Sequence, residues 1–486
     1  MISIQAKKHD NFSVEFKFGF NCHEDGVKDK FSVNTWIFVP NSLDINPENY
    51  GKKQFYRDIK SNVRLITPVY LLRDIAKDSS LPFVSLRQSL EVIAVNQKKD
   101  GMEDYEYHLK MFAAIFKSAV REQIAYLCRI PTLSDDKYLV NDFVGDVKEI
   151  VAKFRALYSI IDVPTVDEKA RSHFRLCDEF ISHVISYQTL RLIKKLDARK
   201  DADRLKEIRT LLFGLVLLER DYKSSRGYGV ITDDPVSNKQ LVYHRGMMKK
   251  YIESDLYIRL NKKKDGVAVE QIYYSIAAGI AMIFATAVGW YSQIKYGNIT
   301  WPLFIALVVS YMLKDRIKEL MRYYFAHRLG NKYYDKKADV SIGKRTVGVI
   351  KEGFDFISEY KTPVKVVHMR EGATPMIDET RIFEEKILLY RKRVIIDDSA
   401  LSGNGEYPVK GINEIMRLHL NRFTQKMDNP EIPVDCFDDD ARVYPIFVEK
   451  MYYVNIVFQL QHDGESEYHH FRLEMTRDGV SKVEKL

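Results

Sequence analysis

The spacing of hydrophobic positions near the start of the chain predicts strands. Between residues 11 and 39, an apolar residue stands at every second position in the run Phe12, Val14, Phe16, Phe18 and Phe20, and a second apolar run follows Asp25-Gly26. Strict alternation is typical of a strand that buries one face. Asp-Gly between two such runs is a turn signal. We therefore predict a β-hairpin over residues 11–39, inside a mixed α/β region that covers residues 1–100.

From about Glu103 the spacing becomes helical. Apolar residues from Met111 to Ile124 fall on one stripe, and further helical runs cover about 141–162, 166–196, 199–223 and 238–260. Apolar positions at i, i+3, i+4 and i+7 predict amphipathic helices that pack against one another. The pattern predicts a helical bundle over residues 101–264.

After residue 338 the pattern predicts strands again. They are expected at 340–350, 363–369, 383–396, 443–448, 452–460, 468–475 and 480–485. Asp463-Gly464 and Asp478-Gly479 are hairpin turn signals within the last four. Ile412, Ile415, Met416, His419 and Phe423 have helical spacing and predict one helix over 411–427. We expect a small β-sheet or barrel domain with one helix over residues 338–486.

Two uncharged stretches, residues 272–294 and 296–313, are separated by the single Lys295. A membrane-spanning helix needs about 20 mostly apolar residues. Trp290 and Trp301 lie near the connection, as rings at the headgroup level do. We predict a transmembrane hairpin over 272–313, with helices at 272–294 and 298–313. The fold class is then an α+β membrane protein, and the alternative is a buried helical hairpin of a soluble protein.

Basic residues flank the predicted hairpin on both sides. Residues 245–264 hold seven Lys/Arg against two acidic residues and residues 314–337 hold eight against three, a net of +5 for each. Because cytoplasmic flanks are enriched in Lys and Arg, we expect two spans with both termini cytoplasmic, in the inner membrane if the cell is bacterial. The residues expected to face lipid heads are Lys262, Lys263, Lys264, Lys314, Arg316, Lys318 and Arg322. Residues 314–337 are predicted as a basic juxtamembrane helix.

The basic flanks also explain the charge of the whole chain, which is +8. Membrane lipids are therefore the expected partner of the basic residues, and a nucleic acid is not required. Both uncharged stretches lack ionisable residues, which proton and ion pathways usually need. We therefore do not expect a transporter.

Small residues recur every four positions in the first predicted span: Ala277, Ala281, Ala285 and Gly289. This spacing places them on one helix face, where another helix can approach closely. The face either packs against the chain's own second helix or joins copies of the chain in a homo-oligomer. The sequence leaves both roles open.

The side chains that could take part in catalysis or metal binding do not match the sequence pattern of a known catalytic or metal site. Four widely separated cysteines suit reduced thiols rather than a disulfide framework. The other candidates are the His173/Cys177 pair at metal-ligand spacing, the loop Arg226-Gly227-Tyr228-Gly229, and the clusters Asp397-Asp398, Asp438-Asp439-Asp440 and His469-His470. Each is more simply explained as helix, loop or strand surface, so we predict no metal and no cofactor, and catalytic residues are not identified.

Three functions follow from this organisation. The first is a membrane-anchored sensor or effector whose cytosolic domains detect a ligand or protein partner. Its hairpin would cluster or perturb the membrane, in stress or antiviral defence signalling. The second is a passive membrane-tethered scaffold. The third, a membrane-tethered enzyme that uses the Asp or His clusters, ranks last because no catalytic constellation is recognisable.

Overall fold

The computed structural model describes residues 2–22, 28–95, 99–129, 133–198, 205–297, 300–330, 334–342, 345–371, 385–402, 406–440 and 442–486. The protein has a mixed α+β fold. The strands are β1 (Ile2–Asp10), β2 (Ser13–Asn21), β3 (Lys28–Pro40), β4 (Ile59–Leu65), β5 (Arg259–Lys264), β6 (Lys336–Ile342), β7 (Arg345–Ile357), β8 (Glu385–Asp397), β9 (Gly411–His419), β10 (Glu431–Phe437), β11 (Val443–Glu449), β12 (Tyr452–His462), β13 (Glu465–Thr476) and β14 (Gly479–Lys485). The helices are α1 (Lys52–Asp58), α2 (Leu72–Ile75), α3 (Leu81–Val95), α4 (Lys99–Leu127), α5 (Leu133–Ala156), α6 (Tyr158–Ile161), α7 (Glu168–Asp197), α8 (Lys206–Arg226), α9 (Pro235–Ile252), α10 (Val267–Tyr296), α11 (Trp301–Gly330), α12 (Val364–Glu371), α13 (Asp398–Ser402) and α14 (Asn421–Thr424).

The chain divides into two compact units. The first contains Met1–Val63, Ile258–Asn404 and Gly411–Leu486, and the second contains Arg64–Tyr257 and Gly405–Lys410. The regions proposed from the sequence at 1–100 and 338–486 therefore both contribute strands to the first unit.

Two antiparallel sheets form the core of the first unit. One has eight strands in the order β14-β13-β12-β3-β8-β7-β6-β5, and the other has the order β1-β2-β9-β4. Aromatic rings fill the space between them: Phe16 of β2 lies 4.9 Å from Phe458 and 5.9 Å from Phe471, centroid to centroid. Edge-to-face and tilted contacts at this spacing add to the stabilisation from burying the rings.

The predicted β-hairpin over residues 11–39 is wrong in its pairing, although both of its strands exist. β2 pairs with β1 and β9, whereas β3 pairs with β8 and β12. Alternation predicts a strand and its buried face but does not identify the neighbouring strand. Trp36 to Val39 in β3 are all buried, as expected where both faces of a sheet are covered. The turn signal Asp25-Gly26 lies outside the described residues.

The predicted helix over 411–427 is also wrong, because residues 411–419 form β9 and only the short α14 follows. The buried positions of β9 alternate: Ile412, Glu414, Met416 and Leu418. Glu414 is polar, so the alternation looked broken, while the apolar residues alone happened to fit a helical period. Conversely, the strand predicted at 363–369 is helix α12, which begins directly after Pro363. The single strand predicted at 340–350 is instead divided between β6 and β7, which pair with each other. The remaining predicted strands are confirmed as β8 and β11 to β14.

The predicted helical region is confirmed in the second unit, whose main segment ends at Tyr257, but residues 259–264, which the prediction included, form strand β5 of the first unit. Stacked rings link the longest helices of the second unit: Phe112 of α4 lies 5.1 Å from Phe154 of α5, and Phe154 lies 4.6 Å from Phe174 of α7. These three side chains are buried. The amphipathic stripes seen in the sequence therefore meet in a common core.

The two helices α10 and α11 pack against each other as a helical hairpin. Within the described residues, one helical segment is long and apolar enough to span a membrane by length and composition, Gln271–Lys295. The predicted second span, 298–313, coincides with α11 from Trp301 onward, but within the described residues it does not reach the length and hydropathy of a spanning helix. Thr300 precedes α11, and residues 298 and 299 lie outside the described residues. α11 continues without interruption through Lys314 to Gly330. The predicted juxtamembrane segment 314–337 is therefore mainly the second half of the same helix.

Candidate functional site at the root of the helical hairpin

Two paired strands lead directly into the helical hairpin. β5 ends at Lys264 and α10 begins at Val267, while β6 begins at Lys336, shortly after α11 ends at Gly330. β5 and β6 are antiparallel, with Lys264 opposite Lys336, at the edge of the eight-stranded sheet. We call residues 259–265 and 335–342 the hairpin root. The ladder therefore holds the chain segments on either side of the hairpin next to each other at the sheet edge.

Asp335 connects one side of the hairpin root to α1 and β7. The Tyr56 hydroxyl donates to its carboxylate at 3.0 Å, the Lys52 ammonium at 2.6 Å and the backbone N–H of Phe354 at 2.8 Å. Burial, reinforced by the Asp335 charge, raises the pKa of Tyr56 well above its ordinary value, so the phenol remains a donor. Three donors from α1 and β7 therefore hold this carboxylate.

Asp265 fastens the other side. The Lys351 ammonium lies 3.0 Å from one carboxylate oxygen of Asp265 and 3.3 Å from the other. The backbone N–H of Asp265 donates to the carbonyl of Asp335 at 3.4 Å. The two chain ends that enter and leave the hairpin are thus joined to each other and to β7.

A series of ion pairs connects the hairpin root to the interior. Lys262 of β5 lies 3.8 Å from Glu352 of β7, and Glu352 lies 3.6 Å from Lys392 of β8. Lys392 also pairs with Glu414 of β9, which accepts a hydrogen bond from Ser61. Lys392 is 2% exposed and Glu414 is fully buried. Buried charges are tolerated only when they are paired, so these residues depend on one another.

Glu352 is the central member of the series. Burial by itself raises the pKa of Glu352, but Lys392 and Lys262 outweigh it and hold the pKa below its ordinary value. The carboxylate therefore stays ionised between the two cations. A change in the packing of β7, β8 or β9 would move Glu352 or its partner Lys392, and this would alter the ion pair between Glu352 and Lys262 at the hairpin root.

The predicted lipid-facing residues fall into two groups. Lys262, Lys263 and Lys264 form the second half of β5, at the edge of the sheet. Lys314, Arg316, Lys318 and Arg322 lie along the middle of α11. The Lys314 ammonium lies 3.9 Å from the ring centre of Tyr311, and the Arg322 guanidinium lies 5.2 Å from that of Tyr274.

The stripe of small residues faces α11 of the same chain. Ala277 and Ala281 are buried, and the Ser310 hydroxyl donates to the carbonyl of Ala285 at 3.3 Å. A Cβ atom on Gly289 would lie 3.3 Å from Leu307. Close approach of the two helices accounts for the small side chains.

The acidic clusters named from the sequence have local structural roles. The Asp397 carboxylate accepts hydrogen bonds from the Ser399 hydroxyl at 2.6 Å and the Ala400 N–H at 3.2 Å, at the start of α13. The Asp438 carboxylate accepts from the N–H groups of Asp440 and Arg442 in a turn. Both arrangements are typical of Asp in caps and turns.

The histidine and cysteine candidates do not converge on one site. His470 is buried and contacts Asn455 at 3.0 Å, while its neighbour His469 points to the other side of β13, 3.7 Å from Glu467. In the second unit Cys177 is fully buried, and its thiol approaches the carbonyl of Leu109 at 3.9 Å. Burial raises the pKa of this thiol well above its ordinary value, which suits a packing role.

His173, the other half of that pair, lies 3.8 Å from Glu106. Burial lowers the pKa of His173. A neutral imidazole beside a carboxylate suits a packing role within the bundle.

A polar cluster in the second unit was not anticipated from the sequence. The Arg155 guanidinium binds Asp178 at 3.0 Å and Glu219 at 2.8 Å, and it stacks on the Tyr222 ring at 3.4 Å. Tyr228, from the loop considered for phosphate binding, donates its hydroxyl to Asp178 at 3.0 Å. That loop is therefore tied to the bundle by a side chain.

A second unanticipated group lies in the first unit. Asp29, His462 and Asp463 bring one ligand-type atom each to within 4.8 Å of one another. His462 meets Asp29 through Nε2 at 3.2 Å and Asp463 through Nδ1 at 3.3 Å. Because the two carboxylates approach opposite ring nitrogens, the imidazole lies between them. Asp29 is too far from His462 and Asp463 in the sequence for spacing to reveal the group.

Comparison of the chain with protein-family models, curated proteins and solved structures gave no match in any of the three. A functional conclusion therefore depends on the geometry of the chain itself.

Proposed function

We propose that the protein is a membrane-anchored sensor or effector, in which the β-sheets of the first unit control a hairpin that crosses the bilayer twice. Both termini lie in the cytoplasm, where the soluble units meet a ligand or protein partner. The hairpin root carries this proposal. A passive anchor needs only a flexible linker, whereas here the strands on either side of the hairpin pair with each other, and Lys262 of β5 forms an ion pair with the buried Glu352.

The contacts between the helices are compatible with a crossing hairpin. Gly289 lies beside Leu307 near the tip, and Tyr274 lies beside Arg322 at the other end. The charged half of α11 is therefore on the side of the hairpin root, where Lys and Arg side chains reach lipid headgroups. Trp290 and Trp301 are 69% and 78% exposed at the tip, as residues at the opposite headgroup layer would be.

Coupling follows from the series of ion pairs. A ligand that alters the packing of β7, β8 or β9 changes the partners of Glu352 and, through Lys262, the geometry of β5. A ligand shifts such an equilibrium only if it binds one arrangement better than the other. The hairpin then responds by clustering or by disturbing the bilayer.

The first experiment determines the membrane topology. Single cysteines at Lys295, Lys263 and Lys337, in a chain without its four native cysteines, are labelled in intact cells with an impermeant maleimide. Labelling of position 295 alone is expected. Labelling of 263 or 337 would contradict cytoplasmic soluble units, and resistance of all three positions would contradict two crossings.

The coupling experiment lengthens the connection at the hairpin root. Gly-Ser-Gly is inserted between Lys264 and Asp265, and the control carries the same insertion in the exposed turn between Asp463 and Gly464. Each protein is reconstituted into phosphatidylethanolamine/phosphatidylglycerol vesicles, and dye release and cross-linking between copies are measured. We expect the insertion at the root to abolish both responses while membrane association persists. Unchanged responses, or full activity after exchange of the hairpin for an unrelated one, would instead indicate a scaffold.

A further inference from the structure

Four basic side chains form a row across one face of the eight-stranded sheet. Lys263 of β5 lies opposite Lys337 of β6, and Lys337 lies opposite Lys351 of β7. Lys351 in turn lies opposite Arg393 of β8. Residues directly opposite each other on paired strands project from the same face of the sheet. We call Lys263, Lys337, Lys351 and Arg393 the cationic row.

The cationic row is open to solvent and only partly neutralised. Its two end residues are exposed, and within the described part of the chain neither forms an ion pair with a carboxylate. Of the inner two, Lys351 pairs with Asp265 at 3.0 Å, and Lys337 lies 3.6 Å from Asp339. The side chains of Lys337 and Lys351 are still 42% and 30% exposed. An anion can therefore reach all members of the row.

Such a row is costly for the fold unless an anion binds it. Like charges directly opposite each other on paired strands destabilise a sheet. Lysines on an edge strand protect against edge-to-edge aggregation, which accounts for Lys263 on β5. That explanation does not extend to Lys351 and Arg393, because β7 and β8 are inner strands with a neighbour on each side. A negatively charged ligand along the row would relieve the repulsion.

We propose that the cationic row binds a ligand that carries two or more phosphate groups. Neighbouring strands are about 4.8 Å apart, so the four cations span about 14 Å. A phosphate group carries about −1.5 to −2 charges and three acceptor oxygens, so one phosphate can bridge two adjacent members of the row. Arg393 adds a guanidinium, whose fork of donors matches phosphate oxygens. An acidic peptide fits less well, because same-side carboxylates of an extended chain lie about 6.7 Å apart.

The site deepens the proposed function, on which its role in sensing rests, because Lys351 also holds the hairpin root. Its ammonium donates to Asp265, which directly follows β5. A bound phosphate competes with the Asp265 carboxylate for this ammonium and so favours the arrangement in which the contact at the root is released.

The phosphates can belong to a soluble molecule or to a multiply phosphorylated lipid head. Lys263 and Lys337 lie one residue from the end of the β5–β6 ladder, where Lys264 pairs with Lys336. In the proposed topology this end of the ladder is beside the membrane surface, so a lipid head can reach the row. Both sources offer the same chemistry to the cations, and the experiment separates them.

The binding is measured by calorimetric titration of the full chain with sodium tripolyphosphate, in a nonionic detergent at constant ionic strength. Arg393→Met and Lys351→Met should each weaken binding about tenfold, because each removes a charge-assisted contact. Lys482→Met, an exposed change on β14 at the far edge of the same sheet, is the control and should stay within about twofold. Equal losses in all three variants would overturn the proposal.

A charge-removing variant on the other side of the contact keeps the test decisive if Lys351→Met disturbs the root. Asp265→Asn removes the competing carboxylate and should tighten tripolyphosphate binding about threefold or more. If Asp265→Asn instead weakens binding as Lys351→Met does, both variants act through the fold of the hairpin root, and the competition for Lys351 is refuted.

The source of the phosphates is determined by a second titration with short-chain phosphatidylinositol bisphosphate in the same detergent. Tight binding of tripolyphosphate indicates a soluble ligand, whereas binding of the lipid alone, weakened by Arg393→Met, indicates a lipid head. Saturable binding of neither probe, or equally tight binding of a polyglutamate peptide, would refute a phosphate site. These titrations need no bilayer, so a failed topology experiment would contradict the proposed function and leave the phosphate site standing.

Discussion

The Lys351 ammonium lies 3.0 Å from a carboxylate oxygen of Asp265, two residues before the first helix of the hairpin begins. This ion pair links β7, an inner strand of the eight-stranded sheet, to the residue that directly follows β5. Together with the three donors on Asp335, it makes the hairpin root part of the folded first unit. Asp265 and Asp335, at the two chain ends of the hairpin, are therefore both held by contacts with β7.

Removal of the buried cation at Lys392 should destabilise the first unit strongly. In Lys392→Met, Glu414 and Glu352 lose their common partner while remaining buried, and such a change costs about 3–5 kcal/mol. Arg393→Met, an exposed change on the same strand, should cost about 0.5 kcal/mol or less. Denaturant unfolding in detergent measures both. Adding Glu414→Gln to Lys392→Met should recover part of the loss, and no recovery would contradict the ion-pair explanation.

A larger side chain at Ala281 should force α10 and α11 apart. Ala281 is 1% exposed, so Leu at this position overpacks the contact and costs about 1–3 kcal/mol. Ala278→Leu lies on the exposed side of the same helix and serves as the control. The rate of cross-linking between cysteines introduced at Gly289 and Leu307 reports the separation. The prediction fails if both leucine variants cross-link at the same rate.

In the second unit, Arg155→Lys should weaken the bundle although the charge is kept. An ammonium cannot reproduce the guanidinium contacts with Asp178 and both oxygens of Glu219, so we expect a loss of roughly 2 kcal/mol. Arg220→Lys changes an exposed residue of α8 and should have little effect. Hydrogen exchange in α7 and α8 should increase in the first variant only. Exchange that rises equally in β12 would show a global rather than a local effect.

Acid should destabilise the first unit partly through His470. Burial, with the nearby Arg370 and Arg472, lowers the pKa of His470 to about 4. The unfolded chain takes up this proton near pH 6.5, so the stabilisation is complete above that pH and is lost as pH falls from about 6.5 to 4.

The pH experiment compares the wild type with His470→Gln. The free energy of unfolding of the wild type should fall by on the order of 2 kcal/mol more than that of the variant over this window. His368→Gln, at an exposed position, should follow the wild type. Parallel curves for the wild type and His470→Gln would exclude His470 as the titrating group.

Local periodicity was enough to predict the helices and strands that bury one regular face. The helices of residues 101–264 and the final β meander each bury one regular face, so their apolar spacing identifies them. The apolar segment 271–295 was identified in the same way, from length and composition. Acidic residues that bracket the hairpin, Asp265 and Asp335, were visible in the sequence but had no assigned partners.

Strand pairing and buried charges were decided by the tertiary structure. β3 pairs with β8 and β12, more than three hundred residues later, and a periodic pattern contains no information about so distant a neighbour. Glu414 interrupts the apolar alternation of β9, and the Lys392 ammonium and the Ser61 hydroxyl beside it make a buried carboxylate acceptable there. The sequence by itself determined where chain segments bury a face, while long-range packing determined which faces and charges meet.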